Sequence, residues 1–346
     1  MSNEQQTRGA VERRGLLLRW GLPRETRATE LVLAFVLVTV ATVVVIRAFL
    51  QLTGFPQVGG DSLHVAHVLW GGLAMALAVV LAVSFAGPAV RPLVAVLGGI
   101  GFGLFIDEVG KFLTNDNDYF FQPAPMLIYV TLVLIALGAD VLHGRRELRR
   151  GEYLAAAVDY GVAGVAGGLS PHRRAVAERL VEKAGDTAGR DEVAALLAVV
   201  ADDDDEAPDP VAAVRRWLRG VFSVVVRRRW TVPVMVVLLA ELVLGSATAV
   251  VLAVVWGSGP TWAVVTAAVS LVLVVAAFVR GWWVWSSQPA DGAGWLRRGV
   301  ELNLLVTQVA LFRLDGWIAT AGLVSALLAL GVISAEKLRG ETAAIE

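Results

Sequence analysis

His64 and His67 stand one helical turn apart near the start of an apolar run, and Asp107, Glu108 and Lys111 close the next run. Imidazole nitrogens and carboxylate oxygens in this combination do two kinds of chemistry. They hold a divalent ion such as Zn²⁺, Mn²⁺ or Fe²⁺ at an open site, with Asp107 or Glu108 also a candidate catalytic group, or they exchange protons without a metal. The same residues also suit a structural network, with Asp107 paired to Lys111 on its own helix. Two of only four histidines fall here, and the loop that follows carries Asn115, Asp116, Asn117, Asp118, Tyr119, Phe120 and Phe121.

A tight turn, Gly87-Pro88-Ala89-Val90-Arg91-Pro92, joins the two runs. Antiparallel helices meeting at Pro88 place His67 and Asp107, each about 20 residues from it, at one depth. Histidines at i and i+3 share a helix face. Adjacent Asp107 and Glu108 diverge by about 100°, so one carboxylate is expected to face the histidines while the other meets another neighbour or Lys111. Gly98, Gly99, Gly101 and Gly103 on the second helix allow another helix to approach closely, or leave a groove.

A second candidate lies deeper. Glu241 falls about ten residues into a later apolar run, where an ionisable group is costly and marks a proton or cation pathway unless it is held neutral by a hydrogen bond. Asn303 and Gln308 are its partners by depth. Asp140 and His143, one turn apart, read as an interfacial pair, and Arg47 as a snorkelling anchor.

Other chemistries are excluded by what the chain lacks. With no cysteine there is no disulfide framework, thiolate nucleophile or Cys-ligated metal. Ser62 is the one serine near the histidines, and its position is that of a helix N-cap, so a hydrolase triad has no support. No phosphate-cradling glycine loop is present.

The elements that position these residues are membrane spans. The chain has 346 residues, is 56% hydrophobic and has a net charge of −1, with a mean hydropathy of +0.66. Several apolar runs are of about 18 residues or more, long enough to cross a bilayer. The fold class is therefore all-α: a polytopic helical membrane protein with eight transmembrane helices, or seven and an interfacial helix.

Residues 1–30 carry six arginines and read as a cytoplasmic tail. Residues 31–142 hold a first group of four spans, and the basic segment after them is inside by the positive-inside bias. The loop after Asp107 is then outside, placing the His/carboxylate cluster at the outer leaflet.

Residues 143–230 form a cytoplasmic helical insertion. Ser170-Pro171 signals a helix start, Gly185 a stop, and a second short helix covers Glu192 to Val200. Residues 201–210 are an acidic linker. Residues 214–230, with Arg215, Arg216, Arg219 and Arg227 to Arg229 beside Trp217 and Phe222, form an interfacial helix for anionic inner-leaflet lipids rather than a nucleic-acid surface. With few large apolar residues, the insertion is expected to pack against the membrane portion.

Residues 231–335 hold the second group, with spans at about Thr231 to Val255, Thr261 to Val279 and Ile318 to Ile333. Between them, Arg280, Trp282, Trp283, Trp285, Trp295, Arg297 and Arg298 make an inner aromatic and basic belt. Leu302 to Phe312 is only about 16 Å long at helical rise, against a hydrocarbon core of roughly 30 Å. It crosses only if its helix begins near Trp295. Residues 336–346 are a cytoplasmic tail.

The Ala, Val and Arg bias fits a bacterial plasma membrane. Three functions remain open: a membrane protein with an outer-face metal or acid–base site, an ion- or proton-coupled transporter using Glu241, and a scaffold or signalling subunit.

Overall fold

The computed structural model describes residues 18, 20–53, 67–113, 123–144, 148–203, 211 and 231–343. His64, Ser62, the loop of Asn115 to Phe121, most of the acidic linker and the basic segment 214–230 lie outside the described residues. Among those described the protein is all-helical, and seven helices are long and apolar enough to cross a membrane.

The helices are α1 (Ala28–Thr53), α2 (His67–Ser84), α3 (Val90–Asp107), α4 (Val109–Leu113) and α5 (Ala124–Ala139), which runs into a π turn, Asp140–Gly144. Then come α6 (Arg150–Gly167), α7 (Pro171–Ala184) and α8 (Arg190–Val199), followed by α9 (Thr231–Val255) and α10 (Thr261–Trp285). Next, α11 (Pro289–Leu302) passes through a second π turn, Asn303–Thr307, into α12 (Gln308–Leu314), and α13 (Gly316–Ala343) ends the fold. The short apolar run 302–312 is thus the second half of a continuous helical path that begins at Pro289.

The chain divides into two compact units. The first comprises Met1–Gln57, Leu69–Gly103 and Ala136–Val211, and the second Val58–Val68, Leu104–Ile135 and Ala212–Glu346.

In the first unit the α3 glycines are packing positions. A Cβ at Gly101 would lie 2.7 Å from Gly71 O and Met75 N of α2, and one at Gly99 would lie 2.8 Å from Phe35 O of α1. At Gly103 it would lie 2.7 Å from Thr42 Cβ. Backbone therefore rests on backbone on two sides of α3, at Gly99 and Gly103 toward α1 and at Gly101 toward α2, and no groove is left at these positions. Thr39 Oγ1, fully buried, donates to both Phe35 O and Gly99 O and bridges α1 to α3.

At the opposite end of this helix group three segments are tied together by charge. Glu152, buried in the first turn of α6, accepts from Arg24 N, Nε and Nη2 at 3.1, 3.0 and 2.8 Å. It also accepts from Arg149 N at 2.9 Å, completing the start of its helix. Arg91, in the first turn of α3, pairs with Asp159 of α6 and with Glu25. The segment before α1, the start of α3 and the start of α6 consequently meet at one end.

Sequence reasoning located α7 and α8 and missed α6. Ser170 caps α7 by accepting from Arg173 N at 3.2 Å, and Gly185 ends it. The α6 segment, rich in Ala and Gly, lacks those signals. Helices α6 to α8 have a small core of their own, including Ala157, Tyr160, Leu180 and Leu197. Arg174 reaches Leu197 O and Val200 O at 2.6 and 2.7 Å to cap α8. Helices α6 to α8 are therefore more self-contained than their composition suggests, while remaining fastened through Glu152 and Asp159.

In the second unit Arg280, Trp282, Trp283 and Trp285 fall on the last turns of α10. Arg280 lies over the Trp283 ring at 5.2 Å, and Arg298 of α11 over Trp295 at 5.1 Å.

The four hydrogen bonds from Arg24 and Arg149 hold the Glu152 carboxyl down at about 2, against the contrary pull of burial. Its folded value lies below the 4.5 of an unperturbed glutamate, so its contribution is present above about 4.5 and is lost as pH falls toward 2. About 3 kcal/mol is at stake. Glu152→Gln is expected to lower the unfolding temperature in detergent at pH 7 and to flatten the acid limb of the stability profile between pH 4.5 and 2, measured by thermal scans.

Candidate functional site

Helix α2 begins at His67 and α3 ends at Asp107, so the hairpin brings both to the same level, as the residue spacing predicts. The helix is interrupted at Glu108 before α4 resumes at Val109. That interruption changes the expected divergence of the two carboxylates. Instead of one facing His67 and the other turning away, both reach the same ring from opposite edges. Glu108 Oε1 lies 2.9 Å from His67 Nδ1, and Asp107 Oδ2 lies 3.4 Å from His67 Nε2. Lys111 Nζ stands 3.6 Å from Glu108 Oε1.

The two carboxylates are buried, each 1% exposed, and ionised carboxylates at such positions require compensation. Here it comes from His67 and Lys111. A neutral imidazole carries a single N–H and offers a lone pair at its other nitrogen. With a carboxylate oxygen within 3.4 Å of each nitrogen, the arrangement favours the imidazolium, whose charge offsets both. The four side chains then sum to zero charge: two carboxylates, one imidazolium and one ammonium. Burial would raise the Glu108 carboxyl, but its contact with His67 and the charges of His67 and Lys111 outweigh that and hold it below the usual carboxylate range.

The same geometry tests the fit of a divalent ion. A metal-bound histidine turns one lone pair to the ion and gives its other N–H to a second group. Carboxylate oxygens lie 2.9 and 3.4 Å from the two nitrogens of His67, so the ring and the two carboxylates can balance charge with no ion between them. Among the described residues no three His, Asp or Glu side chains are disposed to hold one metal. His64, the remaining ligand of the expected set, is outside them.

Glu241 sits in the middle of α9, and its Oε2 is buried with no hydrogen-bond partner among the described residues. The expected bond to Asn303 or Gln308 is not formed. Those two, both fully buried, face each other instead, with Gln308 Nε2 3.4 Å from Asn303 Oδ1. Turning the Gln308 amide over lets its nitrogen donate to Ala319 O and its oxygen accept from Leu323 N, each at 3.1 Å, which is the better-satisfied orientation.

Sequence reasoning missed the company these residues keep. Thr307 donates to Ser270 at 3.0 Å, and Tyr129 of α5 donates to the Leu304 carbonyl within the π turn. The signal was present: Asn303, Thr307 and Gln308 are polar at i, i+4 and i+5 in an otherwise apolar stretch. Asp140 and His143 both fall on the first π turn.

An apolar groove of about 740 Å³ between α9 and α10, lined by residues such as Val243, Phe278 and Trp283, carries no ionisable side chain and reads as lipid-facing surface. No protein-family model, curated protein or solved structure matches this chain.

Removing the imidazole would leave Asp107 and Glu108 side by side and buried. His67→Ala is expected to destabilise the protein by about 3–5 kcal/mol. Adding Asp107→Asn and Glu108→Gln to that variant is expected to recover part of the loss, as read by thermal unfolding in detergent across the set.

Proposed function

We propose that the protein is an integral membrane protein whose His67, Asp107 and Glu108 form a metal-free acid–base site at the outer face of a bacterial plasma membrane. The observation that carries this reading is the placement of both His67 nitrogens against carboxylate oxygens. In such a set the ring is a proton reservoir. Loss of either N–H proton leaves one carboxylate without a donor, and Lys111 beside Glu108 offsets the charge that then appears. The site suits proton uptake and release, or general acid–base work on a solute arriving from the aqueous side.

The test is ring-¹⁵N nuclear magnetic resonance of histidine-labelled protein at pH 7, together with elemental analysis of chelator-free preparations. The expected outcome is one histidine protonated on both nitrogens, absent from His67→Gln, and no stoichiometric metal. Stoichiometric Zn, Mn or Fe that is lost from His64→Ala/His67→Ala would overturn the acid–base reading in favour of a metal centre.

The topology proposed with it has eight crossings, both termini inside and residues 143–230 as the cytoplasmic insertion, with segment 214–230 on anionic inner-leaflet lipids. Two things support it: the helical path from Pro289 to Leu314, whose 26 residues reach about 39 Å at helical rise, and the excess of Arg in the segments assigned inside. The absence of native cysteine makes the count directly measurable. Ser287→Cys is expected to be protected from a membrane-impermeant maleimide in intact cells, and Asp315→Cys to be labelled. Both residues on one side would remove the α11–α12 crossing and leave seven.

A further inference from the structure

Two apolar clusters stack along the same helices of the second unit. One gathers Leu239 and Leu242 of α9, Val274 of α10, Val300 of α11 and Ala329 of α13. The other gathers Ala249, Ala267, Ala310, Leu311 and Ala319 of the same helical path. Low numbers on α9 pair with high numbers on α13, so these two run antiparallel. Between the clusters lies a layer of buried polar side chains: Ser246, Ser270, Asn303, Thr307 and Gln308.

Most of this layer is internally satisfied. Ser246 donates to Leu242 O at 2.6 Å, Ser270 to Ala267 O at 3.2 Å, and Thr307 to Ser270. Gln308 is satisfied by Ala319 O and Leu323 N of α13. In and beside this layer, buried atoms with no hydrogen-bond partner among the described residues include Glu241 Oε2 and Nδ2 of the fully buried Asn303.

Helix register puts Glu241 at the edge of this layer. A Cβ at Gly245 would touch Ile318 at 3.6 Å and Glu241 Oε1 at 3.4 Å. The Glu241 side chain therefore leans along α9 toward Gly245. One turn back from the Gly245–Ile318 level, Glu241 stands at the depth of Gly322. Gly322 is the residue whose missing Cβ makes room for the Gln308 amide, which would otherwise be 2.5 Å away.

Among the described residues of the helices around it, no cation is positioned to balance a charge there. Helix α13 has no titratable residue between Gly316 and Ile333. Helix α10 has only Arg280, which lies over Trp283. Of the charged residues of α11 and α12, Arg298 lies over Trp295, Arg297 pairs with Glu301 at 2.7 Å, and Asp291 and Arg313 are near opposite ends of the path. An ionised carboxylate without a counter-charge among apolar side chains is costly, and combining with a proton removes that cost with no further change in the chain.

We infer that Glu241 is an intramembrane proton-binding site, separate from the His67 cluster, with the Asn303 amide at the same depth as its polar neighbour. The step is proton transfer alone: the carboxylate gains one proton to become the carboxylic acid, and no electron moves.

The experiment uses the full chain in liposomes. Dicyclohexylcarbodiimide adds to protonated carboxyls in apolar surroundings, and the adduct is located by peptide mass spectrometry. The expected result is an adduct on the Glu241 peptide that declines as pH is raised and is lost in Glu241→Gln. Infrared spectra of the same samples are expected to show a protonated-carboxyl C=O band that the variant lacks. Identical carboxyl bands in wild type and Glu241→Gln would overturn the inference, as would labelling that sodium suppresses at fixed pH, which would identify an alkali-cation site. Where Glu241→Gln fails to fold, wild-type labelling that is indifferent to pH would overturn it equally.

Discussion

Backbone laid against backbone along Gly99, Gly101 and Gly103 is the constraint from which the rest of the first helix group follows. With no Cβ on either side, α3 sits against α1 through Gly99 and Gly103 and against α2 through Gly101 at distances any other residue would prevent, and dispersion between closely packed helices holds them. A fixed α2–α3 register has a chemical consequence. It sets His67, the first residue of α2, level with Asp107, the last of α3. Sliding the hairpin by one turn would move the imidazole about 5 Å along the axis and strand two buried carboxylates.

The other end of the same helices is organised by charge instead of shape. Arg24 and Arg91 reach across from the segment before α1 and from the head of α3 to Glu152 and Asp159 on α6. These contacts link α6 to the helix group through buried or half-buried ion pairs, whose worth depends on every donor and acceptor being met. Glu152 meets that condition with four hydrogen bonds. The two ends thus use different physics: directionless close packing where the chain is surrounded by apolar groups, and directed charge-assisted bonds where it leaves them.

How much of this was legible in the sequence depends on the range of the interaction concerned. Hydropathy located the seven long apolar helices, and cap chemistry located α7 through Ser170, Pro171 and Gly185. Equal spacing about Pro88 brought His67 to Asp107. What failed was local geometry at element ends. The divergence of Asp107 and Glu108 assumed an unbroken helix, whereas the interruption at Glu108 turns both carboxylates toward one ring. Helix α6 was missed because its signals are tertiary: Glu152 starts the helix with the help of an arginine 128 residues earlier in the chain. The depth match of Glu241 with Asn303 and Gln308 followed from counting residues, but the bond expected between them did not form, because Gln308 is engaged by the backbone of α13.

The π turn at Asn303–Thr307 has an evolutionary consequence. A π turn holds one residue more than the α-helical turn it replaces, so it acts as a phase shift in the pattern of buried positions. Everything beyond it, including Gln308 against Gly322 and Leu311 in the apolar cluster, is rotated by about 100° relative to an uninterrupted helix. A relative of this protein that lost a single residue between Val300 and Gln308 would keep its length of helix and its hydropathy almost unaltered. It would nevertheless present a different face of α12 to the bundle, and the Tyr129 hydroxyl would no longer find the Leu304 carbonyl turned toward it. In descendants of this chain a one-residue gap at that point therefore marks a change of internal architecture that neither span prediction nor overall similarity would register.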